Sequence, residues 1–151
     1  MPYDKQRKTD PLVSFQFELD TGNAVTGYFA EVGGIGSESD VVDQKVTTKG
    51  KPYVQKLPGR LKWTDVTLKR GITDNMEIWT WRKMVEDGDL KGARKNCTIT
   101  MYDSAGGAAA QWTFDNAWPS KVTGPSVKAD SNEYGVEEVV IVHEGMRRVK
   151  V

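Results

Sequence analysis

Alternation of apolar and polar residues with a period of two recurs along most of the chain, and it limits the fold more than any other feature. In residues 96–102, Cys97, Ile99 and Met101 fall on one face, which is the period of a half-buried β-strand. Turns that contain Gly or Pro separate such segments, and Pro119 is expected to end one of the strands because proline lacks a backbone N–H. The sequence therefore predicts about seven or eight strands in a mainly β domain.

One stretch changes to the helical period. Ile78, Trp81 and Val85 lie on one face of a helix, which predicts an α-helix over about residues 75–86. Two residues mark its predicted ends, Asp74 as part of an N-terminal capping arrangement and Gly88 as a C-terminal glycine. We expect this helix to pack against a closed or sandwich-like β domain.

Residues 41–57 predict a protruding β-hairpin, with a polar loop at 48–52 that contains a Gly and a Pro. Its apolar residues are few and are separated by polar ones, and isolated two-stranded ribbons are marginally stable in water. We therefore predict that the hairpin meets a partner surface. The residues predicted to make this contact are Val46, Tyr53, Val54 and Leu57.

The length of 151 residues fits a single domain over 1–151, in which residues 1–10 form a polar arm that orders only against something else. The 21 basic and 21 acidic side chains cancel, so the chain lacks the basic excess of a dedicated nucleic-acid binder. The sequence has no run of about 20 apolar residues that could span a membrane. We expect a soluble protein that is made in the cytoplasm and does not insert into membranes.

The sequence predicts no catalytic, cofactor or metal site, so we expect a protein that is not an enzyme. The chain has one His and one Cys, whereas zinc sites of the usual kind need three or four such ligands. His143 is interpreted as a packing or surface residue at a strand end, and Cys97 as an inert core thiol. Glu137 and Glu138 point to opposite faces of a strand, so we expect one or both of them in solvent or opposite a cation across an interface.

One loop and one surface patch suggest other functions, although the evidence for each is weak. Residues 33–36 (GGIG) follow a strand but precede acidic residues rather than a P-loop lysine, so they indicate a bend into the hairpin. Lys62, Trp63, Lys69 and Arg70 could form the stacking and phosphate-binding patch of an oligonucleotide-binding β-barrel, although Asp65 and the neutral total charge weaken it. A ligand-binding or enzymatic β-barrel, which needs a concave pocket, is the third class.

Three segments together resemble the inner tube proteins of contractile tails, a family found in contractile bacteriophages and in extracellular contractile injection systems. They are KLPGRLKWTDVTLKRGIT (56–73), FDNAWPSKVTG (114–124) and VEEVVIVHEG (136–145). The matching motifs are Leu-Pro-Gly, Thr-Leu-Lys-Arg-Gly, Asn-Ala-Trp-Pro and His-Glu-Gly, and they occur in the family's order over nearly the whole chain.

The resemblance implies a fold of two packed antiparallel sheets that form a barrel-like sandwich with one helix. It also implies a structural role in a virion or in a tail-like particle. Its expected partners are copies of the same chain in hexameric rings that stack into a tube, a contractile sheath protein, baseplate or initiator tube proteins, and a cargo of DNA or effector protein in the lumen. On this reading Lys69 and Arg70 lie at a subunit boundary and meet acidic groups of a neighbour.

Overall fold

The computed structural model describes residues 16–22, 26–72, 75–125, 129 and 135–151. The predicted arm at 1–10 lies outside these residues. The strands are β1 (Gln16–Asp20), β2 (Thr26–Phe29), β3 (Glu31–Gly33), β4 (Ser37–Thr48), β5 (Lys51–Trp63), β6 (Val66–Gly71), β7 (Lys95–Tyr102), β8 (Ala108–Thr123), β9 (Val136–Val142) and β10 (Gly145–Val149). The helices are α1 (Glu77–Glu86) and α2 (Leu90–Ala93).

Eight of the strands form one antiparallel sheet, in which seven follow the path β2-β1-β7-β8-β9-β6-β3 and β10 pairs with β8 off this path. The long β8 belongs to both halves of the path, since its first part pairs with β7 and β10 and its last part pairs with β9. Pairing among the described strands does not close the path into a barrel. The result is a sandwich-like, mainly β fold, which confirms the predicted fold class.

The core between the two halves consists of the alternating apolar residues that the sequence indicates. Its fully buried members include Leu19, Phe29, Leu68, Cys97, Ile99, Phe114, Val139 and Ile141. Burying an aliphatic or aromatic side chain of this size contributes about 1.5–3 kcal/mol. The fold is therefore held together mainly by apolar packing between the two halves.

Helix α1 covers the core with Ile78 and Trp81, which are both buried. Trp81 Nε1 donates a hydrogen bond of 2.7 Å to the carbonyl oxygen of Ala93, which ties α1 to α2. Gly88 adopts φ 87° and its N–H bonds to Val85, which confirms the predicted helix end. Asp74 lies outside the described residues. The short α2 was not predicted.

The prediction that Pro119 ends a strand is wrong. β8 continues through Pro119 to Thr123, because the register with β9 shifts between Pro119 and Lys121 and so accommodates a residue without an N–H. Asn116, with φ 49°, bends β8 just before this point. This bend carries the strand from one half of the sandwich to the other.

Candidate assembly surface

β4 and β5 form a two-stranded sheet of their own, apart from the sheet path of the other described strands. The hairpin spans residues 37–63 and is therefore longer than the predicted 41–57. A strand of 12 residues extends about 40 Å. Its turn is formed by Lys49 and Gly50, whose φ angles of 53° and 75° are both positive. Tight turns with two positive φ values match the right-handed twist of a hairpin.

Large apolar side chains on this hairpin are exposed to an unusual degree. The exposed fractions are 64% for Val41, 52% for Leu61, 49% for Val42 and Val54, 45% for Tyr53 and 40% for Leu57. The protein's own core does not cover them. Exposed apolar side chains that cluster on one element are typical of a surface that meets another molecule.

Strand register divides the predicted contact residues between the two faces of the hairpin. Val46 lies opposite Tyr53 and Val42 lies opposite Leu57, so these four side chains share one face, which we call the apolar hairpin face. Val54 lies on the other face, where Lys56 Nζ is 2.7 Å from Asp43 Oδ1. Tyr53, Val54 and Leu57 are exposed and Val46 is half-buried, and the contact of these four residues with a neighbour stays a prediction.

The base of the hairpin is a close crossing of two backbone segments. A Cβ atom on Gly34, which has φ 82°, would lie 2.0 Å from the carbonyl oxygen of Asp65. Only glycine fits at this position. The N–H of Thr64 donates to the carbonyl oxygen of Gly36 across the same joint. The glycines of residues 33–36 therefore form a bend into the hairpin, as the sequence indicates.

The carboxylate that pairs with Arg70 within the subunit is Glu137 of the same chain, and the contact of Arg70 with a neighbouring subunit stays a prediction. The two residues lie directly opposite each other on β6 and β9, and Arg70 Nε is 2.6 Å from Glu137 Oε1. Their exposed fractions are 8% and 1%. Glu137 therefore does not lie in solvent, and its cation belongs to the same chain, so the expectation for the two glutamates fails for Glu137. The side chain of Arg70 also lies over the ring of Phe29, 4.9 Å from its centroid.

Lys69 points away from Arg70, since neighbouring residues of a strand face opposite sides. In the sheet it lies between two carboxylates of its own chain, opposite Glu31 on β3 and opposite Glu138 on β9. Its contact with another subunit stays a prediction.

The basic and aromatic patch that suggested oligonucleotide binding is largely engaged within the chain. Lys62 Nζ lies 3.2 Å from Asp40 Oδ1, Trp63 stacks at an angle against His143, and Arg70 is buried against Glu137. Few of its groups are left for phosphates and bases.

Two ionisable groups in the sandwich have strongly shifted pKa values. Burial raises the pKa of the Cys97 thiol to about 12, so this cysteine behaves as a core residue. A hydrogen bond to the Glu18 carboxylate raises the pKa of Tyr102 to about 12. Among the described residues, no group of three or more His, Cys, Asp or Glu side chains could hold a metal ion. Neither described helix is long and apolar enough to cross a membrane.

A known protein family matches most of the chain that carries this surface. Residues 13–147 match the family model described as T4-like virus tail tube protein gp19. The chain belongs to this tail tube family. It is a structural subunit of a tail tube, and the resemblance drawn from the sequence motifs is confirmed.

Solved structures show the same fold in tube proteins of injection systems. The chain is similar to one in a PVC sheath-tube complex of an extracellular contractile injection system in the extended state, with 24% identity, a TM-score of 0.78 and coverage of 95% of both chains. It is also similar to one in the tube-terminating cap of the anti-feeding prophage, with 21% identity, a TM-score of 0.75 and coverage of 98% of this chain and 97% of that chain. Hcp1 from Flavobacterium johnsoniae is more distant, with 12% identity, a TM-score of 0.54 and coverage of 88% and 94%. No curated protein matches the sequence.

Proposed function

We propose that copies of this tube protein close into hexameric rings, that the rings stack into a hollow tube, and that the hairpin makes the contacts between subunits. The observation that carries this proposal is the exposed apolar surface on a hairpin that extends about 40 Å and does not pair with the sandwich. Val46, Tyr53 and Leu57 would contact one neighbour and Val54 another, because they lie on opposite faces.

Open strand edges supply a second kind of contact. In the described residues β10 pairs only with β8, and β3 ends the sheet path. Such edges present unpaired N–H and C=O groups that another chain can satisfy. A contact between two different surfaces of the same chain closes into a ring when the rotation allows. Every subunit would then touch several neighbours, which makes the tube rigid.

The proposed mechanism is mechanical. A sheath protein surrounds the tube, baseplate and initiator proteins start it, and shortening of the sheath drives it through a target envelope while DNA or an effector protein travels in the lumen. Similar solved structures support these partners, since one comes from a sheath-tube complex and another from a baseplate of injection systems. We propose that the protein is not an enzyme, which its membership of a structural family supports.

The particle is proposed to be assembled in the cytoplasm and to act outside the cell after release or firing. Family membership supports the second part, because the family consists of tail tube proteins.

Native mass spectrometry and negative-stain electron microscopy of the purified protein test the proposal together. We expect hexamers, and rings or tubes of uniform width. A fluorescence titration with single-stranded DNA at low and high salt separates the alternative. A monomer whose DNA affinity falls steeply with salt would favour the oligonucleotide-binding module and contradict the tube.

A further inference from the structure

The joint between the hairpin and the sandwich contains one side chain that touches both. His143 follows β9 in the sandwich, and its Nε2 lies 3.2 Å from the carbonyl oxygen of Thr64, between β5 and β6. A carbonyl oxygen can only accept, so Nε2 carries the proton and donates. This hydrogen bond runs from a sandwich side chain to the backbone of the hairpin base.

The ring of His143 is also held between an aromatic residue of the core and one of the hairpin. Its centroid is 4.9 Å from that of Phe114, in an edge-to-face arrangement, and 5.8 Å from that of Trp63 at the end of β5. Phe114 is buried and Trp63 is half-buried. Aromatic pairs at such distances contribute beyond the area that they bury.

Few other features of the joint can fix its angle. Among the described residues, strand pairing does not connect β4 or β5 to the sandwich. The hydrogen bond from Thr64 to Gly36 joins the two connecting segments to each other, and Ile35 packs against the core from the opposite segment. Because the hairpin is long and its attachment to the sandwich is short, a small change of angle at its base displaces its tip by a large distance.

We propose that His143 is the positioning residue that sets the direction in which the hairpin leaves the sandwich, through its hydrogen bond to Thr64 and its contacts with Trp63 and Phe114. The importance of this direction for assembly rests on the proposed function, since in a ring or tube the apolar hairpin face must contact each neighbour in the same orientation. The direction itself is a property of the single subunit.

The test compares two amides of different length. In His143→Gln the side-chain amide nitrogen reaches about as far as Nε2 and can donate to Thr64, whereas in His143→Asn it cannot. Spin labels on cysteines introduced at the exposed Thr48 and Lys121 report the distance between the hairpin tip and the sandwich, in a Cys97→Ser background. Labelled chains are diluted with unlabelled ones so that distances within one subunit are measured.

We expect a narrow distance distribution for the unaltered chain, and a broad or displaced one for His143→Asn. His143→Gln keeps the hydrogen bond but loses the ring contacts, so its distribution should lie between these two. Equal, narrow distributions for His143→Asn and the unaltered chain would overturn the proposal. If His143→Asn does not fold, as judged by circular dichroism, Trp63→Ala replaces it. A broad distribution for Trp63→Ala supports the proposal and an unchanged one overturns it. These distances do not depend on tube formation, so a failure to form tubes would count only against the proposed function.

Discussion

Arg70 and Glu137 form an ion pair that is buried inside a single subunit, with 2.6 Å between Nε and Oε1. Trp79 Nε1 donates a second hydrogen bond, of 2.9 Å, to Glu137 Oε2. The pair therefore connects β6, β9 and α1 across the sandwich. In the sequence, Arg70 belongs to the basic strand end that is interpreted as a subunit boundary. In the structure, its contacts stabilise the fold of the single subunit.

Removing one member of this pair is expected to destabilise the fold. Arg70→Met leaves the Glu137 carboxylate buried without its cation, which costs about 3–5 kcal/mol. Chemical denaturation followed by circular dichroism, under conditions that keep subunits apart, measures the change. Lys62→Gln is the control, because it breaks an exposed pair with Asp40 that contributes at most about 1 kcal/mol. Equal losses in the two variants would contradict the assignment.

Cys97 is expected to resist thiol reagents as long as the subunit is folded. Its pKa, raised to about 12 by burial, leaves almost no thiolate at pH 8, and the sulfur is not accessible. A colorimetric thiol assay at pH 8 should show slow reaction in buffer and fast, complete reaction in denaturant. Fast reaction of the folded protein would mean that the core around Cys97 opens readily.

Alkaline pH is expected to weaken the contact between Tyr102 and Glu18. The pKa of Tyr102 is raised from 10.0 to about 12 in the folded state, so the folded state holds the proton more tightly than the unfolded state. This contribution to stability is complete below pH 10 and is lost as the pH rises to about 12. Ultraviolet absorbance titration should show a late tyrosine that is missing in Tyr102→Phe and titrates earlier in Glu18→Gln. An unchanged late tyrosine in Glu18→Gln would contradict the cause.

Gly50→Ala is expected to loosen the hairpin locally. At φ 75° an L-residue costs about 1–2 kcal/mol, and the turn lies far from the core. Amide hydrogen exchange should become faster in β4 and β5 and stay the same in β7 and α1. Lys49→Asn is the control, since Asn tolerates a positive φ. Faster exchange throughout the sandwich would show that the hairpin and the sandwich do not open independently.

Local patterns predicted much of the fold. Alternation placed Cys97 and Ile99 in the core, the helical spacing of Ile78 and Trp81 located α1, and the polar loop with a Gly and a Pro at 48–52 located a hairpin. These signals are carried by neighbouring residues, so a single sequence contains them.

Features that depend on pairing between distant strands could not be predicted. The partner of Arg70 is 67 residues away in the chain, and only the register of β6 with β9 reveals it. The continuation of β8 through Pro119 depends on a shift against β9. The contact of His143 with Thr64 likewise depends on how the end of β9 meets the base of the hairpin.

Electron microscopy of a matched pair of hairpin variants tests the central claim, that copies of the chain cover the apolar hairpin face. Val46→Lys with Tyr53→Lys places two charges on that face, whereas Val46→Ile with Tyr53→Phe keeps it apolar. Both should show the circular dichroism of the unaltered protein. We predict rings or tubes of uniform width for the unaltered chain and the apolar variant, and dispersed subunits for the charged one. Normal tubes built from the folded charged variant would contradict the account.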